Sequence, residues 1–391
     1  MNIALFSDTY LPECNGVATS TSILFDELKN HGHNVYIVTS NPFSKKIEFK
    51  DNIIRIPGII LKHLYNYMLT TTYSRKVMKY LRQLDLDVIH IQCDLFVSQF
   101  GWIASNELKC ATVYTYHTMY EDYTWYATRG AADRFAKWSV REYSKTIAYK
   151  STEFIVPSIK TKDYIRRIGI KNYVNVIPTG IQVAKYKDYI VDKDKKEELY
   201  KKYNIDPNAS IFIAVGRVAL EKNISEIINF FIAYKTKFPG KDIHLLVVGN
   251  GPLLSKLVEE CTKNGSSKFI HFIGRVPFEE TPFYYNIAEF YLSGSTSETQ
   301  GLTYIEAMAC GNIVIARYDV NLVGIIDSEI NGYFYETYSE FEENLTEVLA
   351  MSIEEKIMMK TKANQTADSL SAESFEEKVL AVYERAIREN W

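Results

Sequence analysis

The 391-residue sequence is poor in cysteine. Its five, Cys14, Cys93, Cys110, Cys261 and Cys310, are scattered and odd in number, with no C-x-x-C pair. That argues against a disulfide-stapled scaffold or a cysteine zinc site, and it leads us to expect a reduced, cytoplasmic chain. No apolar run approaches the ~18 residues of a membrane-spanning helix. The opening MNIALFSD already reads as a strand, so no signal peptide is expected. The dinucleotide fingerprint G-x-G-x-x-G is missing, as are H-E-x-x-H, Walker A and G-x-S-x-G, which argues against NAD or FAD enzymes, zinc peptidases, P-loop NTPases and α/β-hydrolases. Low-complexity tracts and short repeats are also absent. Acidic residues are missing from one stretch: Asn52–Leu84 carries Arg55, Lys62, Arg75, Lys76, Lys79 and Arg82 without a single Asp or Glu.

The remaining composition, 47% apolar and 24% charged, is that of a soluble globular protein, with aromatics high at 14%. The length implies two domains. Strands are predicted at Ile3–Phe6, Val35–Thr39, Ile53–Ile56, Val88–Ile91, Thr112–Tyr116, Phe154–Val156 and Val174–Ile177, then at Ile211–Val215, His244–Val248, Phe269–Ile273, Phe290–Leu292 and Ile313–Ala316. Helical patterns such as Val17–Asn30, Ser98–Leu108, Ile224–Lys237 and Leu253–Thr262 separate them, giving the β-α-β rhythm of doubly wound parallel sheets. The rhythm restarts after the polar stretch Lys185–Asn208, which puts a domain junction near Gly180–Lys187. Ser371–Trp391 reads as an amphipathic helix, with Phe375, Val379, Val382, Tyr383 and Ile387 on one side.

In open α/β sheets ligands sit at the carboxyl ends of strands, so the loops after strands carry the candidate residues. The densest is Ser293–Gly311, SGSTSETQGLTYIEAMACG, where Glu298 and Glu306 have seven residues between them and Gly301 opens a short apolar helix. A helix N-terminus attracts anions, and carboxylates bind hydroxyls. Together they suit a phosphorylated, polyhydroxylated ligand such as a nucleotide sugar. After strand Ile211–Val215 come Arg217 and Lys222, two cations that could neutralise a diphosphate leaving group. Alternatively, they are surface charges pairing with Glu221. Gly16 precedes a helix after the first strand, where it could let backbone approach a phosphate or simply form a turn. His117 ends strand Thr112–Tyr116 among tyrosines; His31, His33, His63, His90, His244 and His271 show no metal-ligand spacing and are read as structural. Asp85–Leu86–Asp87 and Asp192–Lys193–Asp194 are D-x-D triplets read as solvated caps or turns.

GRVALEKN, VVGNGP, HFIGRVP and STSETQGLTYIEAMACG stand in the order and spacing of the retaining glycosyltransferases of family 4. The resemblance covers nearly the whole chain and implies a GT-B fold. Two Rossmann-like, doubly wound domains would face each other across a cleft. Residues 1–183 would form an acceptor and membrane-docking domain and 184–370 a donor domain, and a C-terminal helix, 371–391, would cross back onto the first. NGVATS, YHTMYEDY and Gln300 look most like the bacterial diacylglycerol glucosyltransferases, which make monoglucosyldiacylglycerol. The resemblance implies that Glu298 binds hydroxyls of the donor sugar and Glu306 the ribose. Arg217 and Lys222 would hold the diphosphate, with help from Gly16, Gly301 and the amides near Leu302 and Thr303. Val276 would offer backbone groups to the base, and His117 would contact the donor sugar and support the reacting centre. It also implies a nucleotide-sugar donor, UDP-glucose, with no metal or other cofactor required. The sequence departs from the family pattern in having one glycine in the N-terminal loop, Gln300 where many members have Phe, and Asn312–Ile313 after the ACG.

The charge distribution fits a lipid acceptor. Residues 1–190 hold 24 Lys and Arg against 17 Asp and Glu, whereas 191–391 hold 21 against 31. The acid-free stretch, interleaved with Tyr65, Tyr67, Met68, Tyr73, Met78, Tyr80 and Leu81, reads as a surface for anionic lipid, though a solvated helix face is the plainer alternative. Diacylglycerol and anionic lipids are therefore the expected partners, at the inner face of the cell membrane. Nucleic acid is not expected, and no protein partner is inferable. The competing readings are another acceptor or donor (GDP-mannose to phosphatidylinositol, or a soluble sugar acceptor), a non-catalytic nucleotide-sugar-binding protein, and a bilobal solute-binding protein.

Overall fold

The computed structural model describes residues 1–13, 15–61, 67–117, 133–296, 298 and 300–390. The chain forms two compact units, Met1–Gly180 with Ala372–Trp391, and Ile181–Ser371.

In the first unit the strands are β1 (Asn2–Ser7), β2 (Asn34–Asn41), β3 (Glu48–Lys50), β4 (Ile53–Leu61), β5 (Tyr67–Thr70), β6 (Val88–Ile91), β7 (Ala111–Thr115), β8 (Glu153–Val156) and β9 (Asn175–Val176). Its helices are α1 (Gly16–Asn30), α2 (Arg75–Leu81), α3 (Phe96–Leu108), α4 (Asp133–Lys150) and α5 (Ile159–Arg167), joined by the C-terminal helix α14 (Ala372–Glu389). The sheet order is β3-β4-β2-β1-β6-β7-β8-β9, with β5 beside β4. All pairs are parallel except β3 and β5 against β4. Order reverses between β1 and β6, both almost wholly buried, which is why their sequences are apolar runs without alternation. One face packs Leu24 and Leu28 of α1 and Val379 and Tyr383 of α14 against Ile3 and Leu5. The other packs Met78, Phe100 and Ile147 from α2, α3 and α4 against Phe6 and Ile91. Arg385 ties α14 to β8, with Nε donating to Glu153 Oε1 at 2.9 Å.

The second unit carries α6 (Val183–Lys187), α7 (Lys193–Tyr203), β10 (Ser210–Val215), α8 (Ile224–Lys237), β11 (Ile243–Val248), α9 (Leu254–Lys263), β12 (Ile270–Gly274), α10 (Thr281–Ile287), β13 (Phe290–Ser293), α11 (Leu302–Ala309), β14 (Ile313–Arg317), β15 (Gly332–Tyr335), α12 (Tyr338–Ala350) and α13 (Ile353–Ser369). Its six strands run β12-β11-β10-β13-β14-β15, all parallel, and order reverses between β10 and β13.

Three strands escape the β-branched reading. β3 and β5 belong to antiparallel pairings around Pro57-containing β4, and β15, Gly-Tyr-Phe-Tyr, is buried through aromatics. The polar stretch beyond Lys185 is ordered rather than a linker: Asp192 caps α7 by accepting from Lys195 N at 3.1 Å. The second D-x-D triplet is thus a helix cap, whereas the first ties the start of β6 to the start of β1, with Asp87 accepting from Asn2 N at 2.7 Å.

Among the six docking cations, Lys62 lies outside the described residues. Arg55 is half-buried and engaged within its own unit: its guanidinium donates to the Leu11 carbonyl at 2.8 Å and lies over the rings of Tyr10 and Phe43, so it is less free than the α2 cations to meet another surface. Arg75, Lys76 and Lys79 share the exposed face of α2, with Arg82 just beyond it, while Val77, Met78 and Leu81 are buried beneath. Arg82 pairs with Glu107 at 2.7 Å. No described helix is long and apolar enough to cross a membrane.

Candidate active site

In the second unit the exits of β10 and β13 meet at the point where strand order reverses. After β10, Gly216 has φ +149° and a short 3-10 turn, Leu220–Lys222, precedes α8. The loop after β11 closes on this exit so tightly that a Cβ on Gly251 would fall 2.2 Å from the Val218 carbonyl oxygen. After β13, a Cβ on Gly294 would lie 2.8 Å from the Asn223 carbonyl oxygen, so the two exits are in backbone contact.

That contact joins the two charges singled out in the sequence. Lys222 Nζ donates to Glu298 Oε1 at 2.6 Å, and Glu298 is 7% exposed. Arg217 stands beside Glu221, Nη1 to Oε1 3.8 Å, with its side chain half exposed. The Glu298 backbone is pinned by residues the sequence reading passed over: its N–H donates to Asp319 Oδ2 at 3.2 Å, and the Asn321 side-chain amide donates to its carbonyl. Both follow β14, another strand exit, which is the signal that could have found them.

Gly301 has φ +81°, a left-handed conformation that favours glycine, and it starts α11. A Cβ there would meet the Tyr304 ring at 2.8 Å. Leu302 and Thr303 form the first turn, and Thr303 Oγ1 accepts from the Tyr291 hydroxyl at 2.8 Å. Glu306, in the next turn, is buried and accepts from the Tyr285 hydroxyl at 3.0 Å. Burial pushes its pKa up to about 7, against the Tyr285 hydrogen bond and the Lys185 charge, which lower it. In the ligand-free protein this group contributes stability below its ordinary pKa of 4.5, and that contribution is lost as pH rises through about 7. Lys185 Nζ also donates to the Phe278 carbonyl at 3.3 Å, in the β12 exit that holds half-buried Val276. Asn312, the family departure with no sequence rationale, is buried and donates to the carbonyls of Tyr285 and Ala288 at 3.0 and 2.7 Å, tying the end of α11 to α10.

Arg217, Lys222, Glu298, Gly301, Leu302, Thr303 and Glu306 thus lie on the segments that follow β10 and β13, the two middle strands of the second sheet. Gly16 and His117 belong to the first unit. Gly16 is the exposed first residue of α1, capped by Asn15, with open space where a Cβ would stand. His117 follows β7, its Nε2 2.7 Å from Gln92 Oε1, and burial lowers its pKa to about 4.

Two doubly wound parallel sheets, with Lys222 and Glu298 paired at the strand exits of the second, fit the GT-B glycosyltransferases, and the comparisons with known proteins show that class. Residues 14–185 match the family described as Glycosyltransferase Family 4, and residues 195–366 match Glycosyl transferases group 1. The alpha-monoglucosyldiacylglycerol synthase of Streptococcus pneumoniae is 33% identical across all of this chain and 87% of its own length. That of Acholeplasma laidlawii is 32% identical over 89% of this chain and 88% of its own. Anabaena HepE in complex with UDP and glucose has the same fold, at a TM-score of 0.73 and 14% identity over 98% of this chain and 99% of that one. Sucrose-phosphate synthase from Thermosynechococcus elongatus aligns at a TM-score of 0.73 and 20% identity, over 98% of each chain. The chain belongs to the family-4 glycosyltransferases.

Proposed function

We propose that this protein transfers glucose from UDP-glucose to diacylglycerol at a membrane surface, with retention, giving alpha-monoglucosyldiacylglycerol. The observation that carries this reading is its similarity to two alpha-monoglucosyldiacylglycerol synthases over nearly their full lengths. The site chemistry supports a nucleotide-sugar donor. Glu306 accepts the two ribose hydroxyls, and Val276 offers backbone groups to the base. Arg217, Lys222 and the amides of Leu302 and Thr303, beyond Gly301, take the diphosphate, with Gly16 assisting. Glu298 accepts hydroxyls of the glucose and His117 contacts it. As the sugar–phosphate bond breaks, charge gathers on the departing diphosphate, and fixed cations at a helix N-terminus stabilise it without a metal ion. The cation face of α2 suits an anionic lipid surface, where diacylglycerol is held.

The buried Glu306 makes donor binding pH-dependent. As a carboxylate it accepts from both ribose hydroxyls, whereas as an acid it must give one of those positions to its own proton. UDP affinity is expected to tighten about tenfold as pH rises through about 7. Calorimetry at pH 6 and 8.5 measures it. Glu306→Gln should lose that gain, keeping only the part due to ionisation of UDP itself.

Labelled UDP-glucose, UDP-galactose and GDP-mannose, offered with mixed vesicles of diacylglycerol and anionic lipid, test the whole reading. Label from UDP-glucose is expected in the chloroform phase. Label remaining in water with all three donors rules out the lipid acceptor.

A further inference from the structure

Behind His117 runs a chain of buried polar groups. Gln92, one residue past β6 and 2% exposed, places Oε1 2.7 Å from His117 Nε2. Its amide nitrogen lies 3.1 and 3.3 Å from the two ring nitrogens of His90, on β6. The His90 ring is 1% exposed and has a hydroxyl at each nitrogen: Tyr383 from α14 at Nδ1 and Thr115 from β7 at Nε2, both 2.7 Å away. Burial, with His117 nearby, lowers the pKa of His90 to about 3, so both imidazoles are neutral at neutral pH.

These contacts orient the Gln92 amide. Its nitrogen is near both ring nitrogens at once while both already face hydroxyls, so it sits over the ring rather than in its plane. The face of a neutral imidazole attracts an N–H and repels a carbonyl oxygen. The amide nitrogen therefore belongs on the His90 side and the oxygen on the His117 side. A carbonyl oxygen only accepts, so His117 Nε2 must carry the hydrogen. In a neutral ring the other nitrogen, Nδ1, is then a bare acceptor.

We infer that Gln92 is a positioning residue: held by His90, and through it by Tyr383 of the C-terminal helix, it fixes His117 as the Nε2–H tautomer and presents Nδ1 as a hydrogen-bond acceptor for a sugar hydroxyl. The use of that acceptor in catalysis rests on the reading of His117 as a contact to the donor sugar. The tautomer itself does not.

The test separates the two. Nitrogen-15 spectra of the histidine-labelled protein, with His117→Ala for assignment, report the tautomer in the absence of substrate. The Nε2–H form is expected, and Gln92→Leu should shift it toward Nδ1–H. Gln92→Glu keeps the shape and places a carboxylate on the ring, so the His117 pKa should rise by about one to three pH units. A wild-type Nδ1–H tautomer, or one unchanged in Gln92→Leu together with an unmoved pKa in Gln92→Glu, overturns the inference. In transfer assays Gln92→Leu should lower kcat about fivefold to tenfold with UDP affinity within twofold, because the nucleotide is held by other residues. A shifted tautomer with unchanged kcat upholds the positioning and removes His117 from the sugar site.

Discussion

Glu298→Gln and Lys222→Ala are each expected to lower kcat/KM for glucosyl transfer on the order of a hundred- to a thousandfold, the usual cost of removing one preorganised charge from a reacting centre. The two residues hold each other: the ammonium donates to the carboxylate at 2.6 Å, and the carboxylate is 7% exposed. Glu298→Gln keeps the shape and an acceptor oxygen but removes the charge that pairs with Lys222. Lys222→Ala removes the cation and leaves Glu298 buried without its partner, so it should also lower stability, by about 1–2 kcal/mol given that Lys222 is partly solvated. Each single change already destroys the pair, so the double variant should cost much less than the product of the two. Steady-state kinetics of the three variants, with thermal unfolding as a folding control, measure this. Two single variants at wild-type rates would remove the pair from the site.

Neutralising α2 should have the next largest effect. Arg75→Gln, Lys76→Gln, Lys79→Gln and Arg82→Gln, made together, are expected to reduce partitioning onto anionic vesicles roughly a hundred- to a thousandfold at low salt. The basis is about 1 kcal/mol per cation near an anionic surface, discounted for Arg82, which already pairs with Glu107. All four lie at or beyond the exposed side of α2, whose buried residues are Val77, Met78 and Leu81, so the fold should be untouched. Salt should mimic the substitutions, since the screening length shrinks to about 8 Å at physiological ionic strength. Arg55→Gln is the internal control. Its guanidinium is spent on the Leu11 carbonyl and two aromatic rings, so it should change stability more than lipid binding. Vesicle co-sedimentation indifferent to both salt and the four substitutions would remove α2 from the docking surface.

The parallel architecture was legible because strands buried on both faces are continuous apolar runs. Ile211–Val215 and His244–Val248 could be placed almost to the residue. β3, β5 and β15 were not, because they owe their pairing to neighbours rather than to β-branched composition. Lys222 and Glu298 were visible as types at strand exits. Their pairing was not, since it depends on β10 and β13 being adjacent where strand order reverses. Arg55 shows the opposite failure: a charge count cannot tell a solvated cation from one folded over Tyr10 and Phe43. His90 reads as one more structural histidine in the sequence, and only its distances to Gln92, Thr115 and Tyr383 carry the inference that it helps to orient His117.

We propose that the exits of β10 and β13, in the middle of the second sheet, hold a nucleotide-sugar donor, with Glu306 on the ribose, Lys222 on the diphosphate and Glu298 on the sugar. Calorimetric titration of UDP into the wild-type protein, Glu306→Ala, Lys222→Ala and Glu298→Gln tests it most directly. Glu306→Ala and Lys222→Ala should each lose at least about tenfold in affinity, while Glu298→Gln stays within a fewfold of wild type. Equal UDP affinity in all four proteins would contradict it.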